Sequence, residues 1–199
     1  MRRKLLFYVL TLISIGGYAQ PFEGRISYSN KVESKLPGIS DPELWKMMGS
    51  EKVFYIKGGR YKNVSNGTML QWEIYDPVHN KLYVKNSNAK APYWKDAGVN
   101  RDAILGIRIA RKAAVILGYP CDELILRCKS GTEKYYYSSK FPANAGVFKM
   151  HHYAHWSAYL AKAHALPLKV VIDNRQFRSE STAVAIAAMK LEDGIFEIR

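Results

Sequence analysis

The sequence predicts a mainly β protein: a single curved antiparallel sheet, a half-barrel, carrying one or two covering helices. Two observations point there. Apolar and polar residues alternate with a period of two through most of the chain, the pattern of strands with one buried and one wetted face. The alternating runs are also joined by short turn sequences, around Gly58 and Gly59, residues 76–80, and Ser130 and Gly131. The strand–helix–strand alternation of a parallel sheet is not seen.

The elements follow in order. Phe22, Gly24, Ile26 and Tyr28 share one face of a first strand, with Glu23, Arg25, Ser27 and Ser29 on the other. SDPELWKMMGS (40–50) interrupts as a short helix: Ser40 or Asp41 caps it, Pro42 suits its first turn and Gly49 follows its end. EKVFYIKGGRYKNV reads as a hairpin, and TMLQWEIYD pairs with NKLYVKN. A looser stretch with Pro92 and Gly98 precedes DAILGIRIARKAAVILGYPC, which is strand-like but ambiguous, and then the hairpin CDELILRCKS with TEKYYYSS. VFKMHHYAHWSAYLAKAHA (147–165), rich in Ala and lacking internal Gly and Pro, predicts a helix in at least its second half. Along such a helix Phe148, His152, His155, Tyr159 and Lys162 run down one side. PLKVVIDN and a closing pair of strands to about Met189 complete the chain.

The opening residues have the form of a secretory signal. Arg2, Arg3 and Lys4 are the basic start, residues 5–15 are apolar apart from Thr11 and Ser14, and Gly17 and Ala19 place small residues at a cleavage site. The apolar run falls short of the ~20 residues that span a bilayer. We therefore expect residues 1–19 to be removed, leaving one domain over 20–199 in the periplasm or secreted, without a membrane anchor. Loss of Arg2, Arg3 and Lys4 lowers the formal charge of +13 by three. The remaining positive residues are scattered, as on a generic solvated surface, and they favour anionic neighbours such as a membrane surface or an envelope glycan. KGGRYKN (57–63) interleaves charge and aromatics as nucleic-acid binders do, but export argues against that partner. The sequons at Asn63 and Asn66 would matter only in a eukaryotic secretory pathway.

Cys121 and Cys128 are expected to remain unpaired. CDELILRC reads as one strand, so seven steps of about 3.3 Å separate the two by roughly 23 Å, whereas a disulfide needs Cα atoms within about 7 Å. Cys128 shares a face with Leu124 and Leu126 and is read as a small apolar residue.

Catalytic signals are sparse. The chain has no G-x-S-x-G elbow, P-loop or G-x-G-x-x-G, and no acidic pair placed for acid–base work. His151, His152, His155 and His164 crowd one span, and on a helix His151 and His155 would stand at i and i+4, as two ligands of one metal do. No glutamate of an H-E-x-x-H arrangement accompanies them, so His151, His152 and His155 are weak metal candidates, and no cofactor is expected. Aromatic residues occur on nearly every strand and on the late helix. Such faces line grooves for acyl chains or sugars, or simply form the inner face of a sheet. The candidate lining is Trp72, Tyr83, Tyr137, Phe148, Trp156 and Tyr159.

FEGRISYS, ILGYPCDELIL, YYYSS, ALPLKVVIDN and the final LEDGIFEI form an ordered series. It resembles a family of exported, uncharacterised Bacteroidota proteins, over residues 22–29 and 117–199 by motif and by general pattern between them. Arg199 stands where that family closes on proline. Such proteins look like members of the lipoprotein-carrier (LolA/LolB-like) architecture, which implies a curved half-barrel with helices over its concave face. The resemblance carries over no catalytic or binding residue. Together these readings favour a non-enzymatic binder of a lipid, an acylated protein or another hydrophobic ligand. The alternative is an envelope interaction module that binds a protein or anionic glycan.

Overall fold

The computed structural model describes residues 20–198; residues 1–19, on which the expected secretory signal falls, and Arg199 lie outside them. The chain runs β1 (Gly24–Ser34), α1 (Asp41–Met48), β2 (Glu51–Lys57), β3 (Arg60–Ser65), β4 (Trp72–Asp76), β5 (Lys81–Lys85), β6 (Tyr93–Asp96) and β7 (Ile104–Ile116). It continues with β8 (Tyr119–Cys128), β9 (Gly131–Pro142), α2 (Trp156–Ala163), β10 (Ala165–Asn174) and β11 (Phe177–Ala188). Local chemistry sets the joints. Ser40 caps α1 in a reciprocal box with Glu43, Pro42 occupies the first turn, and Gly49 ends the helix at φ 88°. Leu117 (φ 50°) and Gly118 (φ 81°) make the two-residue turn between β7 and β8, the left-handed pair that suits a right-twisted hairpin.

All eleven strands join one sheet, in the order β6-β5-β4-β3-β2-β1-β11-β10-β9-β8-β7. The two ends of the described chain meet in its centre, where Gly24 pairs with Ala188. Residues 97–103 carry the chain from one edge strand, β6, directly to the other, β7. Eight residue steps reach at most ~28 Å, whereas eleven strands laid flat would separate those edges by about 48 Å. The sheet is therefore strongly curved, and it does not close into a barrel.

Three expectations are corrected. The looser stretch holds a strand, β6, and the end of the chain is one long strand, β11, rather than a closing pair. Segment 147–165 is α-helical in its second half, α2, as expected, but 3-10 turns at Ala145–Phe148 and Tyr153–His155 precede it in place of further α-helix. Ala154 (φ 50°) and His155 (φ 54°) are both left-handed and break any continuous helix. Phe148, His152, His155, Tyr159 and Lys162 consequently do not share a side: His152 and Lys162 are exposed while the other three are buried.

The segment 145–163 fills the concave face of the sheet. Its backbone is tied to the mouth by Tyr153 N donating to the Ala97 carbonyl at 2.8 Å and Asn80 Nδ2 to the Met150 carbonyl at 3.0 Å. On the convex face the closing residues lie across β2 and β3. Lys57 and Lys62 donate to the Leu191 and Ile195 carbonyls at 2.7 and 3.0 Å, and Arg60 pairs with Asp193 while stacking over Phe196. No helix among the described residues is long and apolar enough to cross a membrane.

Candidate functional site

The pleat decides which predicted residues can meet. In the β3–β4–β5 ladder Tyr61 stands opposite Tyr75, and Tyr75 opposite Leu82; these are core-facing. Trp72 is an odd number of residues from Tyr75 and so projects from the other face. Tyr83, opposite Ile74, does the same. Trp72 lies under the Lys62 ammonium at 5.7 Å, in a shallow depression with Glu192, Gly194, Ile195 and Glu197. Trp72 and Tyr83 are therefore placed apart from the concave face.

Tyr137, Phe148, Trp156 and Tyr159 do come together, and what they line is one another. Tyr159 stacks on Tyr135 at 4.3 Å, meets Tyr137 edge-on at 6.2 Å and lies 5.7 Å from Trp156. Trp156 in turn contacts Phe148 and Phe54 at 6.1 and 6.2 Å. Phe148 and Tyr159 are wholly buried. The buried hydroxyls are satisfied internally: Tyr159 donates to the Ala165 carbonyl at 2.8 Å and Tyr28 to the Pro167 carbonyl at 2.7 Å. A phenol at the mouth of a ligand groove keeps its polar tip in water; these tips instead bind carbonyls at the start of β10, from α2 and from β1. None of the five depressions described on the surface includes Tyr83, Tyr137, Phe148, Trp156 or Tyr159.

The histidines are dispersed. His151 is buried, its Nε2 on the Tyr61 hydroxyl at 2.7 Å and its ring 4.3 Å from that of Tyr75. Burial holds its pKa down at about 4. His152 is exposed and bonds the Ser157 hydroxyl through Nδ1 at 2.9 Å. His155 alone enters a cluster of chemically active groups, because its left-handed backbone turns the ring towards the end of the β8–β9 hairpin.

That cluster joins distant parts of the chain. Cys128 is the last residue of β8 and Glu133 lies near the start of β9. Leu126 pairs with Glu133, so Glu133 and Cys128 share the core face. Asp102 comes from the segment between the two sheet edges, and both its oxygens are held by Ser130, through the backbone N–H and the hydroxyl. His155 Nε2 donates to the Asp102 backbone carbonyl at 2.9 Å, and Nδ1 lies 3.0 Å from Glu133 Oε1. The Glu133 bond raises the His155 pKa against the opposing effect of burial. Two acceptors on two ring nitrogens require both to carry protons, so ring and carboxylate form an ion pair with 5% and 14% side-chain exposure.

Cys128 Sγ is 3.8 Å from both ring nitrogens. Equal distances put the sulfur against the ring rather than in line with either N–H. Burial, with Glu133 and Asp102 nearby, pushes the thiol up to about 12. The pair is thus not arranged as a thiolate–imidazolium nucleophile, which needs a depressed thiol pKa. Cys121 is also buried and free. Beside the cluster lies an open depression of about 600 Å³ lined by Lys95, Arg101, Asp102, Glu133, Tyr153 and His155. Sequence reading reached His155 but missed Asp102 and Glu133, which carry no local signal, and took Cys128 for an apolar residue.

No protein-family profile matches the chain, and no curated protein does. Among solved structures, that of PNGF-II in a P21 crystal form is similar with a TM-score of 0.47 at 10% identity; the match covers 85% of this chain and 29% of that one. The chain thus spans less than a third of that protein's length.

Proposed function

We propose that this protein is a non-enzymatic interaction module of the cell envelope that takes up an extended polypeptide, alternating apolar with acidic residues, along the free edge of β7. The observation that carries this is the edge itself. β7 is 13 residues long and has a neighbour on one side only. Ile107 and Ile109 stand opposite Leu126 and Leu124, on the side of the sheet that elsewhere forms the core. They are nevertheless 43% and 41% exposed, because no element among the described residues covers the sheet there, and Leu105 beside them is 67% exposed. A long apolar edge with unpaired backbone groups is a template for an added strand.

Charge selects the occupant. Arg108 and Lys112 are exposed on the same strand, beside Arg111, which is paired with Asp122 of β8; a second β7 would bring like charges side by side, whereas an acidic strand would give Arg108 and Lys112 partners. The concave face supports this reading over a hydrophobic-ligand carrier, since its aromatic side chains fill it with one another.

The test is binding of a synthetic peptide alternating Glu and Val, followed by fluorescence anisotropy. Binding that weakens as salt rises, and that is lost in Arg108→Glu and Ile109→Asp with the fold intact by circular dichroism, is expected. Absence of peptide binding overturns the proposal. So does a concentration-dependent dimer that masks the edge, or uptake of fluorescent lipid probes with acyl material carried through purification, which would establish the carrier reading instead.

A further inference from the structure

We propose that Cys128 Sγ, His155 Nδ1 and the carboxylates of Glu133 and Asp102 form a binding site for one tetrahedral, zinc-class divalent cation at the end of the β8–β9 hairpin. Ligand atoms of Asp102, Cys128 and His155 all lie within 4.8 Å of one another. Two ligands at tetrahedral angles on one zinc ion, with bonds of about 2.3 Å to sulfur and 2.0–2.1 Å to nitrogen and oxygen, are themselves separated by about 3.6 Å for S···N and 3.3 Å for N···O. The corresponding separations are 3.8 Å for Cys128 to His155 and 3.0 Å for His155 to Glu133. These two separations lie within a few tenths of an ångström of tetrahedral values; Asp102 and Glu133 would close in on the ion from opposite sides of the ring as it binds.

The surroundings are those a metal-binding imidazole needs. His155 directs Nε2 at the Asp102 carbonyl, which fixes the ring and leaves Nδ1 facing the Glu133 oxygen, with the sulfur 3.8 Å away. A backbone carbonyl on the far nitrogen is a common outer support of metal-bound histidine. Glu133 is held in the same way by the Tyr135 hydroxyl on its other oxygen at 2.7 Å, and Asp102 by Ser130. Cys128 and Glu133 are mounted on strand ends, Asp102 and His155 on the connecting segments packed against them, while the 600 Å³ depression gives the ion a way in from solvent.

The donor set also chooses the metal. A thiolate with an imidazole selects zinc-like ions over calcium and magnesium, which prefer six or more oxygens. On binding, the Cys128 thiol and His155 Nδ1 each release a proton to solvent, and the cation takes the place of the proton between Nδ1 and Glu133. Without the cation, the same atoms stay as the imidazolium–carboxylate pair.

Cobalt(II) and zinc chloride titrated into the chelator-treated, purified protein test the assignment. One equivalent of cobalt should produce the near-ultraviolet thiolate-to-cobalt charge-transfer band and the intense visible bands of a tetrahedral ion, both discharged by zinc. Cys128→Ser should abolish the charge-transfer band, and Glu133→Gln should weaken affinity about tenfold or more. His152→Ala, an exposed histidine outside the cluster, should change nothing. Circular dichroism of each variant separates lost binding from lost folding, and Glu133→Gln, nearly isosteric, serves if Cys128→Ser does not fold. A wild-type protein without the thiolate band overturns the proposal, as does zinc binding that survives both variants, which marks adventitious surface coordination. This test is independent of peptide binding at β7.

Discussion

Tyr61 and His151, 90 positions apart, share a 2.7 Å hydrogen bond inside the core. Burial lifts the phenol well above its ordinary pKa, so the hydroxyl donates and His151 Nε2 accepts. His151 is consequently neutral, and its Nδ1 has no partner. Its folded pKa of about 4 lies below the ordinary 6.5, so the unfolded chain binds the proton more tightly. The stability this confers is complete above pH 6.5 and lost as pH falls from 6.5 towards 4, by about 3 kcal/mol at full loss. Chemical denaturation of wild type and His151→Gln across that range checks it. Carboxylates titrate in both proteins, so the difference isolates the histidine: wild type should lose stability more steeply.

The placement of the aromatic residues makes a second prediction. Phe148→Ala and Tyr159→Ala empty fully buried positions and should cost about 3–5 kcal/mol each. Trp72→Ala and Tyr83→Ala act on the convex face, where both rings are only partly buried, and should cost about 1 kcal/mol. Urea midpoints with unchanged slope provide the measurement. Equal costs for the two pairs would contradict the face assignment read from the strand register.

Gly67→Ala should be severe for a reason the sequence does not advertise. A Cβ there would sit 2.6 Å from the Met48 carbonyl carbon and 2.7 Å from both Gly49 N and Met47 O, all backbone atoms at the end of α1. None of them can rotate away, and about 2–3 kcal/mol should be lost. Gly58→Ala meets nothing within 4 Å but holds φ at +59°, so about 1 kcal/mol is expected. Thermal midpoints of the two variants should fall in that order.

Ser40→Ala removes one half of the capping box at α1 and should cost about 1 kcal/mol. Because α1 is a short helix packed at the margin of β1, the loss should appear first as faster amide exchange in residues 42–45, before the global transition moves. Uniform acceleration across the sheet would argue instead that α1 is integral to the cooperative core.

Most of the fold was legible because its signals are local. Period-two alternation, the turn residues between hairpins and the Ser40–Glu43 cap each act within a few residues, and each is found where the pattern places it. The free cysteines follow too, since both lie in the single strand β8 and strand geometry keeps its ends apart. Side-chain destinations were less legible. Trp72 and Tyr83 look like Tyr75 by composition, yet one residue of register sends a ring to the opposite face. The break at Ala154 and His155 has no helix-breaking residue to announce it. It is imposed by the sheet mouth, where the Ala97 and Asp102 carbonyls bind the passing chain. The sequence by itself determined a curved, hairpin-built antiparallel sheet, because strand periodicity and turn chemistry are short-range properties. Tertiary structure alone decided that the concave aromatics satisfy one another, that β7 is left open to solvent, and that Asp102, Cys128, Glu133 and His155 converge. Those outcomes depend on which strands become edges and how far the sheet bends, and no stretch of the chain encodes either alone.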